Sequence, residues 1–474
     1  MEFEILTENS LQDNTLPAFM VSTTRGFLPR IEPPTVLPTE FDVLEQLLQD
    51  MPIRKASGEP GLLATGRLGA TVDTSFPNLV EKVEHFKDDQ PILNALYRDY
   101  SFLLSAYLFE PCYLKYLETE GTEYGLGRSI LPRSIAQPMA RVAELTGFQP
   151  FMEYAGSYAL YNYKLLEPSK GMEYDNLALI RAFEHGLDNK SSEAGFVLIH
   201  VAMVRHSGKL VQGVQSALKG LIAPTDAAGK MELFQNGLQD ILESMKQINK
   251  VMDEMWQKSK PEKYSQFRVF IFGIHSQPMF PDGVIYEGVS KEPMKFRGES
   301  GANDSMIPLV DNFMCIDMPE NPLTDILKDF RKYRPGNHKA FLSWVEEIAR
   351  GNPSVKEFAL RDQKSAILYL LILDQIREFR GRHWSFTREY ILKQGKKLHP
   401  KATGGSPIVE WLPNQLTRVL NLMTEVQLHI SKTHIDHLKG GDLEEFERIC
   451  EIIPRHSSSL EKEVKRYTDT LASQ

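Results

Sequence analysis

Six side chains between residues 372 and 390 follow one another at steps of four, three, four, three and four residues. In chain order they are Ile372, Ile376, Phe379, His383, Phe386 and Tyr390. This spacing matches the α-helical repeat, so it predicts one helix that carries all six side chains on one face. Such a face packs into a core, where the imidazole of His383 must form a hydrogen bond or bind a ligand.

The size and composition of the chain are ordinary for a soluble protein. Of its 474 residues 42% are hydrophobic and 25% are charged, enough to bury a core without disulfide or metal support. The net charge of −9 argues against nucleic acid as a partner, because binding to phosphates needs clustered Lys and Arg. The widely separated Cys112, Cys315 and Cys450 favour a reducing compartment. We expect a cytoplasmic protein, since neither a signal peptide nor a membrane-spanning run is recognisable.

The chain divides into two regions with different patterns. Residues 1–40 are rich in Pro and Thr and predict an extended arm. The best candidate for a junction lies within 166–190, so we place a small, mostly helical N-terminal domain at 1–187. We predict a large all-α domain at 188–474. Its predicted helices cover 192–221, 226–259, 261–273, 304–315, 323–333, 336–350, 365–394, 409–430 and 443–452.

Two segments have less regular patterns. Phe151–Tyr163 alternates small and aromatic residues, which is compatible with a buried helix. Asp282–Tyr286 has a weak strand pattern, and strand-like alternation is scarce elsewhere. The predicted fold class is therefore all-α.

The neighbours of His383 give it a functional interpretation. Arg380 and Arg382 lie within one helical turn, and haem propionates are anions that bind such cations. Further along, Thr403-Gly404-Gly405 supplies a glycine pair of the kind that lets backbone approach a ligand. A histidine on an apolar face is nevertheless more often a hydrogen-bonded core residue than an iron ligand. On the residues alone, both interpretations stay open.

Two further polar residues stand inside apolar runs. His200 is the polar residue of Gly195–Val204, and an unpaired imidazole buried there would cost roughly 1–3 kcal/mol. A carbonyl group, a buried water or a ligand must therefore pair with it. Arg268 lies within Phe267–Phe272, where it is either a clamp for a substrate carboxylate or part of a structural salt bridge.

Motifs of other enzyme classes are missing or weak. The chain has no Gly-x-Gly-x-x-Gly after a strand and no Gly-x-x-x-x-Gly-Lys-Ser/Thr, which argues against Rossmann and P-loop nucleotide sites. His434 and His437 have a spacing compatible with part of a non-haem iron site. Their polar surroundings favour a solvated helix end instead.

Several segments, taken in order, resemble the indoleamine 2,3-dioxygenase family. Arg380–Ile391 and Ala402–Gly405 are similar to the haem-ligand helix and the Thr-Gly-Gly loop of that family. Four other segments resemble its Leu-Pro-Arg-Asn-Ile-Ala, Asp-Gly-Leu-Val-Tyr-Glu-Gly, Gly-Gly-Ser-Ala-Gly-Gln-Ser-Ser and Asn-Pro-Ser-Val-Arg-Glu-Phe elements. They are Leu131–Ala136, Pro278–Gly288, Gly298–Ser305 and Asn352–Phe358.

The resemblance implies a haem b enzyme that opens the indole C2–C3 bond of L-tryptophan with O₂ and yields N-formylkynurenine, as in the kynurenine pathway of tryptophan catabolism. His383 would be the proximal iron ligand, and Arg268 would pair with the substrate carboxylate. The other implied site residues contact the indole, the haem or a loop that closes over the substrate. They are Tyr154, Ser157, Tyr264, Ser300, Gly301, Arg380, Thr403 and Gly404.

Two positions depart from the animal members of the family. Those members have serine at the place of His200 and a phenylalanine pair at the place of Lys263 and Tyr264. A distal histidine is typical of tryptophan 2,3-dioxygenases, so the resemblance gives His200 a catalytic hydrogen bond to the indole N–H or to bound oxygen. The chain looks most like the fungal or bacterial branch of the family.

The resemblance also implies a monomer and an electron donor that keeps the haem ferrous. Two other functions stay open at this point. One is a haem protein of the same superfamily that acts on another indole or as a monooxygenase. The other is a helical haem-binding module without turnover.

Overall fold

The computed structural model describes residues 3–13, 15–186, 188–224, 229–317, 322–393 and 408–472, and helices dominate it. The predicted all-α class is confirmed. The helices before residue 188 are α1 (Asp42–Asp50), α2 (Leu62–Thr65), α3 (Leu68–Ser75), α4 (Val80–Val83), α5 (Gln90–Glu118) and α6 (Arg133–Thr146). Those after it are α7 (Ser192–Val204), α8 (Ser207–Ile222), α9 (Lys230–Asp253), α10 (Met255–Lys258), α11 (Pro261–Arg268), α12 (Met306–Phe313), α13 (Pro322–Arg331), α14 (Gly336–Ala349), α15 (Val355–Ala359), α16 (Gln363–Thr387), α17 (Ile408–Thr433) and α18 (Gly441–Ala472). Among the described residues, no helix combines the length and the hydropathy that a bilayer crossing requires.

The strands are short and form two pairs. β2 (Tyr163–Leu165) pairs antiparallel with β3 (Leu177–Leu179). β1 (Ile130–Leu131) pairs in parallel with β4 (Ile285–Tyr286), so the weak strand pattern at 282–286 corresponds to a real strand. The β1–β4 pair crosses the predicted junction, and the main hydrophobic core includes side chains from both sides of residue 187. The division into two domains stays a prediction.

The helix that carries His383 is α16, as the spacing predicts. The Asp362 side chain accepts a hydrogen bond from the Ser365 backbone N–H at 2.9 Å and so caps the first turn. Helices α9, α17 and α18 pack around α16. Beyond Thr387 the chain continues into a π-helical turn, Arg388–Leu392, which keeps Tyr390 on the buried side.

The predicted helix 443–452 is part of the much longer α18. Two other predicted segments, 192–221 and 151–163, also differ from the structure. The run 192–221 breaks at Arg205–His206, where the N-terminal arm crosses the chain. A Cβ at Gly208 would lie 2.6 Å from the carbonyl oxygen of Thr23, so the break permits a close backbone crossing. The segment 151–163 is not a helix: it holds a π-helical turn, Tyr154–Tyr158, before β2.

The C-terminal helix α18 is joined to α16 and to the turn after it by hydrogen bonds and ion pairs, which we call the α18 clamp. Glu463 accepts a hydrogen bond from Trp384 Nε1 at 2.7 Å and forms an ion pair with Arg388. Arg448 Nη2 lies 2.8 Å from the buried carboxylate of Asp374. A second hydrophobic cluster fills the seam and comprises Trp384, Leu392, Leu416, Leu420, Leu460 and Tyr467.

We expect Glu463→Ala to lower the free energy of unfolding by about 1–2 kcal/mol, because it removes two charge-assisted hydrogen bonds from partly buried groups. Chemical denaturation followed by far-UV circular dichroism measures the change. Glu461→Ala is the matched control: Glu461 is exposed on the same helix, and its loss should change stability by less than about 0.5 kcal/mol. Equal effects of the two substitutions would contradict the clamp.

Candidate active site

The face of α16 that carries His383 forms a wall of two adjoining cavities. The first has a volume of about 130 Å³ and is bounded mainly by α7, α11, the loop 299–301 and the start of α17. The second has a volume of about 140 Å³ and extends toward α12. The two linings share His200, Met203, Met252, Gly301, His383, Trp411 and Leu412.

The first cavity has mostly apolar, aromatic walls. Phe386 and Tyr390 come from the predicted stripe, while Phe196 and Tyr264 approach from α7 and α11. The ring centroids of Phe196 and Tyr264 are 5.2 Å apart, and those of Tyr264 and Tyr390 are 5.8 Å apart at a nearly perpendicular angle. Interlocked rings of this kind form a rigid wall suited to a flat apolar ligand.

The second cavity is bordered by Arg334, Arg380, Asp304 and Asp311. The Arg380 guanidinium donates to the Gln415 carbonyl oxygen at 2.8 Å and to Asp311 Oδ2 at 2.6 Å. Burial raises the pKa of Asp311, and the pairing with Arg380 opposes that effect. Burial also lowers the pKa of Arg334 to about 10, which leaves its guanidinium cationic at neutral pH. Arg334 and Arg380 are therefore the cations at this end with which an anionic group could pair, beside two carboxyl groups.

The His383 imidazole is neutral. Burial is the main cause, and the nearby His200 adds to it; together they lower the pKa of His383 to about 4. No hydrogen bond to another side chain or to backbone contributes to that pKa within the described residues. A neutral imidazole that faces a cavity is the form that ligates a transition metal.

His200 faces the same two cavities from α7. Its Nδ1 lies 2.8 Å from the Phe196 carbonyl oxygen, and since a carbonyl only accepts, Nδ1 carries the proton. Nε2 is then an acceptor, and it lies 3.7 Å from the place of a Cβ at Gly301. Burial lowers the pKa of His200, so the ring stays neutral at pH 7. The Tyr154 ring contacts it edge-on, with 5.8 Å between the ring centroids.

Arg268 does not line the first cavity in the described structure, but it contacts Tyr264, which does. Its guanidinium stacks over the Phe272 ring at 4.8 Å from the centroid. Burial raises the pKa of Tyr264 to about 12, and the charge of Arg268 and a hydrogen bond from it oppose that effect. The same holds for Tyr124, so Arg268 lies next to both hydroxyls. Of these residues, Tyr264 is the one that lines the cavity.

The other predicted site residues differ in where they lie. Ser300 and Gly301 line the first cavity, and Tyr154 lines the second. Ser157 is buried in the Tyr154–Tyr158 turn, where its Oγ donates to the Glu153 carbonyl oxygen at 2.8 Å; in the described structure it is not part of either lining. Thr403 and Gly404 lie outside the described residues.

Sequence reasoning missed several residues of these walls, among them Asp304, Asp311, Arg334 and Trp411. Asp304, Asp311 and Arg334 border the second cavity from the loop before α12, from α12 itself and from the loop before α14. Trp411 enters both cavities from the first turns of α17. No periodicity marks these residues, because each reaches the site from a different element. The acidic pair at Asp304 and Asp311 was the available signal, since both stand in an otherwise apolar segment.

Buried polar atoms around the second cavity still lack a hydrogen bond. Among the described residues, Asp304 Oδ1, Asp311 Oδ1 and Trp411 Nε1 have no partner. A buried polar atom without a partner costs about 1–3 kcal/mol. An ionised propionate could accept from Trp411 Nε1, whereas the two aspartate oxygens need a donor. An apolar cavity with a neutral histidine, joined to a polar cavity with two arginines, fits a haem with its anionic propionates.

Comparison with known proteins agrees with this arrangement. The model of the indoleamine 2,3-dioxygenase family matches residues 15–441. The chain is 27% identical over 309 residues to human indoleamine 2,3-dioxygenase 2, which covers 61% of this chain and 72% of that protein. It is 24% identical over 420 residues to an indoleamine 2,3-dioxygenase of Aspergillus nanangensis, covering 84% and 94%. A 6-hydroxytryptophan 2,3-dioxygenase of Fusarium equiseti is 26% identical over 400 residues, covering 82% and 88%.

The protein is a haem-dependent dioxygenase, and therefore an oxidoreductase. It belongs to the indoleamine 2,3-dioxygenase family. The alignments with the two fungal relatives span more of this chain than the alignment with the human relative does. Helix α18 begins where the family match ends, at residue 441, so the clamp behind α16 lies outside the matched segment.

We expect His383→Ala to abolish haem retention, because the variant lacks the neutral imidazole that faces the cavity. The ratio of Soret to protein absorbance after purification measures haem content. His437→Ala, which removes an exposed histidine, is the matched control and should retain wild-type haem content. A His383→Ala protein with a normal haem spectrum would contradict the assignment.

Proposed function

We propose that this protein opens the indole C2–C3 bond of L-tryptophan with O₂ and releases N-formylkynurenine, the entry reaction of the kynurenine pathway of tryptophan catabolism. The observation that carries the proposal is the pair of neutral histidines, His383 and His200, which face the same aromatic cavity. One imidazole suits an iron atom, and the other presents an acceptor nitrogen to a substrate.

In this proposal His383 holds the haem iron, and Arg380 and Arg334 hold the propionates. Arg380 is already oriented by Asp311 and by a backbone carbonyl, so its position does not depend on the ligand. Ser300 and Gly301, which line the first cavity together with His383, would contact the haem. When bound, haem b supplies the activation of O₂; the protein sets the axial ligand, the polarity and the access.

The proposed role of His200 is to accept the indole N–H at Nε2. The hydrogen bond from Nδ1 to Phe196 fixes the tautomer that makes Nε2 an acceptor. Burial keeps the ring neutral, so the tautomer persists at physiological pH. This bond would orient the C2–C3 edge of the ring, and orientation of reactants supplies much of the rate advantage in such reactions.

Arg268 is proposed to bind the substrate carboxylate through two parallel hydrogen bonds. In the described structure Tyr264, which Arg268 contacts, lines the cavity and Arg268 does not, so this role requires Tyr264 to move aside when the substrate binds. Tyr154 and Ser157 are proposed for the indole pocket. Ser157 would act through the backbone of the Tyr154–Tyr158 turn, which its hydroxyl holds in place.

A hydroxylated indole is a second candidate substrate. The relative from Fusarium equiseti is named as a 6-hydroxytryptophan 2,3-dioxygenase. The first cavity contains polar groups beside its aromatic walls, among them Glu299 and Ser300, with which a ring hydroxyl could pair. We further propose that the protein works as a cytoplasmic monomer and that an electron donor keeps its haem ferrous.

The product of the ferrous haem protein with L-tryptophan and ¹⁸O₂ tests the reaction. We expect N-formylkynurenine that carries two ¹⁸O atoms, because both atoms of O₂ add across one carbon–carbon bond. Ascorbate with methylene blue serves as reductant, and mass spectrometry counts the label. A product with one ¹⁸O atom would identify a monooxygenase. A haem-replete protein that forms no product from tryptophan or 6-hydroxytryptophan would contradict the proposal.

Arg268→Ala should raise the KM for L-tryptophan by about 10-fold or more with unchanged haem content, because the carboxylate loses a charge-assisted bidentate partner. Steady-state kinetics at saturating O₂ measure the effect. Arg455→Ala is the control, since Arg455 is exposed on α18 far along the chain from the site. An unchanged KM in Arg268→Ala would contradict the proposal that Arg268 binds the substrate carboxylate.

A further inference from the structure

Asp304 is a buried residue that borders the second cavity, and the proposed function gives it no task. It is 7% exposed, and it lines that cavity together with His383, Arg334 and Arg380. Its Oδ2 accepts a hydrogen bond from the Ile307 N–H at 3.0 Å, whereas its Oδ1 is buried without a hydrogen bond. Because an unpartnered buried oxygen is unfavourable, a ligand that fills the cavity would be stabilised by pairing with Oδ1.

Hydrogen bonds on both sides hold Asp304 in place. Its own N–H donates to the carbonyl oxygen of Gly301, another residue of the cavity wall, at 3.1 Å. Ser305 follows directly, and its Oγ lies 3.2 Å from Nδ1 of the buried His338. The carboxyl group itself is anchored through Oδ2 to the first turn of α12, at Ile307. Since one oxygen is anchored, the other has a defined position, as a binding group requires.

The charges around the second cavity do not balance once a haem is bound. Among the described residues, its lining has the two guanidinium groups of Arg334 and Arg380 and the two carboxyl groups of Asp304 and Asp311. Haem b adds two propionates, so two guanidinium groups would face four carboxylates, an excess of two negative charges in a buried site. A proton on one carboxyl group removes one of these charges and converts an acceptor into a donor.

The two aspartates differ in which of them can take that proton. Asp311 Oδ2 lies 2.6 Å from Arg380 Nη2, and this ion pair stabilises the ionised form of Asp311. Within the described part of the chain, Asp304 forms no ion pair. The proton therefore belongs on Asp304, whose free oxygen also lacks a hydrogen bond.

We propose that Asp304 is a positioning residue for the cofactor, which holds a proton when haem is bound and donates it in a hydrogen bond from Oδ1 to a haem propionate. The inference rests on the proposed function only through the placement of the propionates at Arg334 and Arg380. The family element that Gly298–Ser305 resembles has serine at the place of Asp304. Serine, like a protonated carboxyl group, is a neutral O–H donor.

The surroundings of Asp304 determine how the bond depends on pH. Burial raises the pKa of Asp304, and backbone N–H groups at the start of α12 and the charge of Arg334 oppose that effect. A propionate beside it would raise the pKa further, because like charges disfavour ionisation. The protonated form binds haem better, so haem retention is complete at pH values below the pKa of Asp304 and weakens as the pH rises through the pKa in the complex.

The rate of haem loss from the ferric protein tests the inference without turnover. Transfer of haem to an excess of apomyoglobin is followed by absorbance between about pH 6 and pH 9 in wild type, Asp304→Asn and Asp304→Ala. Asparagine can still accept from the Ile307 N–H through its oxygen and donates an N–H that carries no titrating charge. Alanine has no donor. Asp282→Asn, which changes an exposed aspartate, is the matched control and should behave as wild type.

We expect haem loss from the wild type to become about 10-fold faster toward the alkaline end, because ionised Asp304 repels the propionate. The rate for Asp304→Asn should change by less than about 2-fold over the same range. Asp304→Ala should lose haem about 10-fold faster than Asp304→Asn throughout, because it lacks the donor. Equal pH slopes in wild type and Asp304→Asn, or equal rates in the two variants, would overturn the inference.

Arg380→Ala separates this inference from its premise. It should speed haem loss whether or not Asp304 carries a proton, because it removes a cation from the propionate end of the site. If Arg380→Ala retains haem as the wild type does, the proposed placement of the propionates has failed. If Arg380→Ala loses haem faster and the Asp304 variants match the wild type, the role of Asp304 alone is overturned.

Other titratable groups around Asp304 are present in both wild type and Asp304→Asn, so a slope that the variant flattens belongs to Asp304. Burial lowers the pKa of His383 to about 4 and that of His338 to about 3, and it also lowers the pKa of His200. The pKa of Arg334 is about 10, and burial raises that of Tyr154 well above its usual value. Asp311 and Arg380 are paired with each other.

The infrared spectrum of the haem-bound protein detects the proton itself. The wild type should show the C=O stretch of a protonated carboxylic acid, with a shift in D₂O, and Asp304→Asn should lose this band. A residue that only supports α12 would produce no such difference. A carboxylic acid band that persists unchanged in Asp304→Asn would contradict the proposal.

Discussion

A neutral imidazole in the wall of a cavity is the constraint on which the rest of the site depends. Desolvation of His383 disfavours its protonated form, and the nearby His200 strengthens that effect. The ring is therefore ready to donate a nitrogen lone pair to a metal at any physiological pH. This state requires that the face of α16 with His383 stay shielded from water, and α9, α17 and α18 pack against α16. The C-terminal helix supports the site from outside: none of its described residues lines either cavity, but its cluster packs against Ile391 and Leu412, which do.

The two cavities differ in chemistry, so a ligand that spans both has one preferred orientation. Aromatic rings enclose the first cavity, whereas Arg334 and Arg380 face the second beside two aspartates. A flat cofactor with an apolar ring and an anionic edge can satisfy both at once, and it then has one favourable orientation. His200, Glu299 and Ser300 are polar groups in the lining of the first cavity. In the proposed function the orientation of the indole depends on His200, at whose place the resemblance implies a serine in the animal members of the family.

The sequence predicted those parts of the site that depend on one helix. His383, Phe386 and Tyr390 share the α-helical repeat, so their common face followed from spacing alone. Arg334 could not be found in this way, because it reaches the second cavity from a loop and its role depends on tertiary structure. Glu299 was visible only as part of a loop of small residues, and its burial was not. The break between α7 and α8 likewise depends on a distant contact, the crossing of the N-terminal arm over Gly208.

The resonance Raman spectrum of the ferrous haem protein tests the central claim most directly, because the iron–histidine stretch reports which side chain ligates the iron. We predict one such band in the wild type. It should persist in His200→Ser, vanish in His383→Gly, and return at a shifted frequency when imidazole is added to His383→Gly. A band that survives in His383→Gly without added imidazole but is lost in His200→Ser would place the iron on the opposite wall and contradict the account.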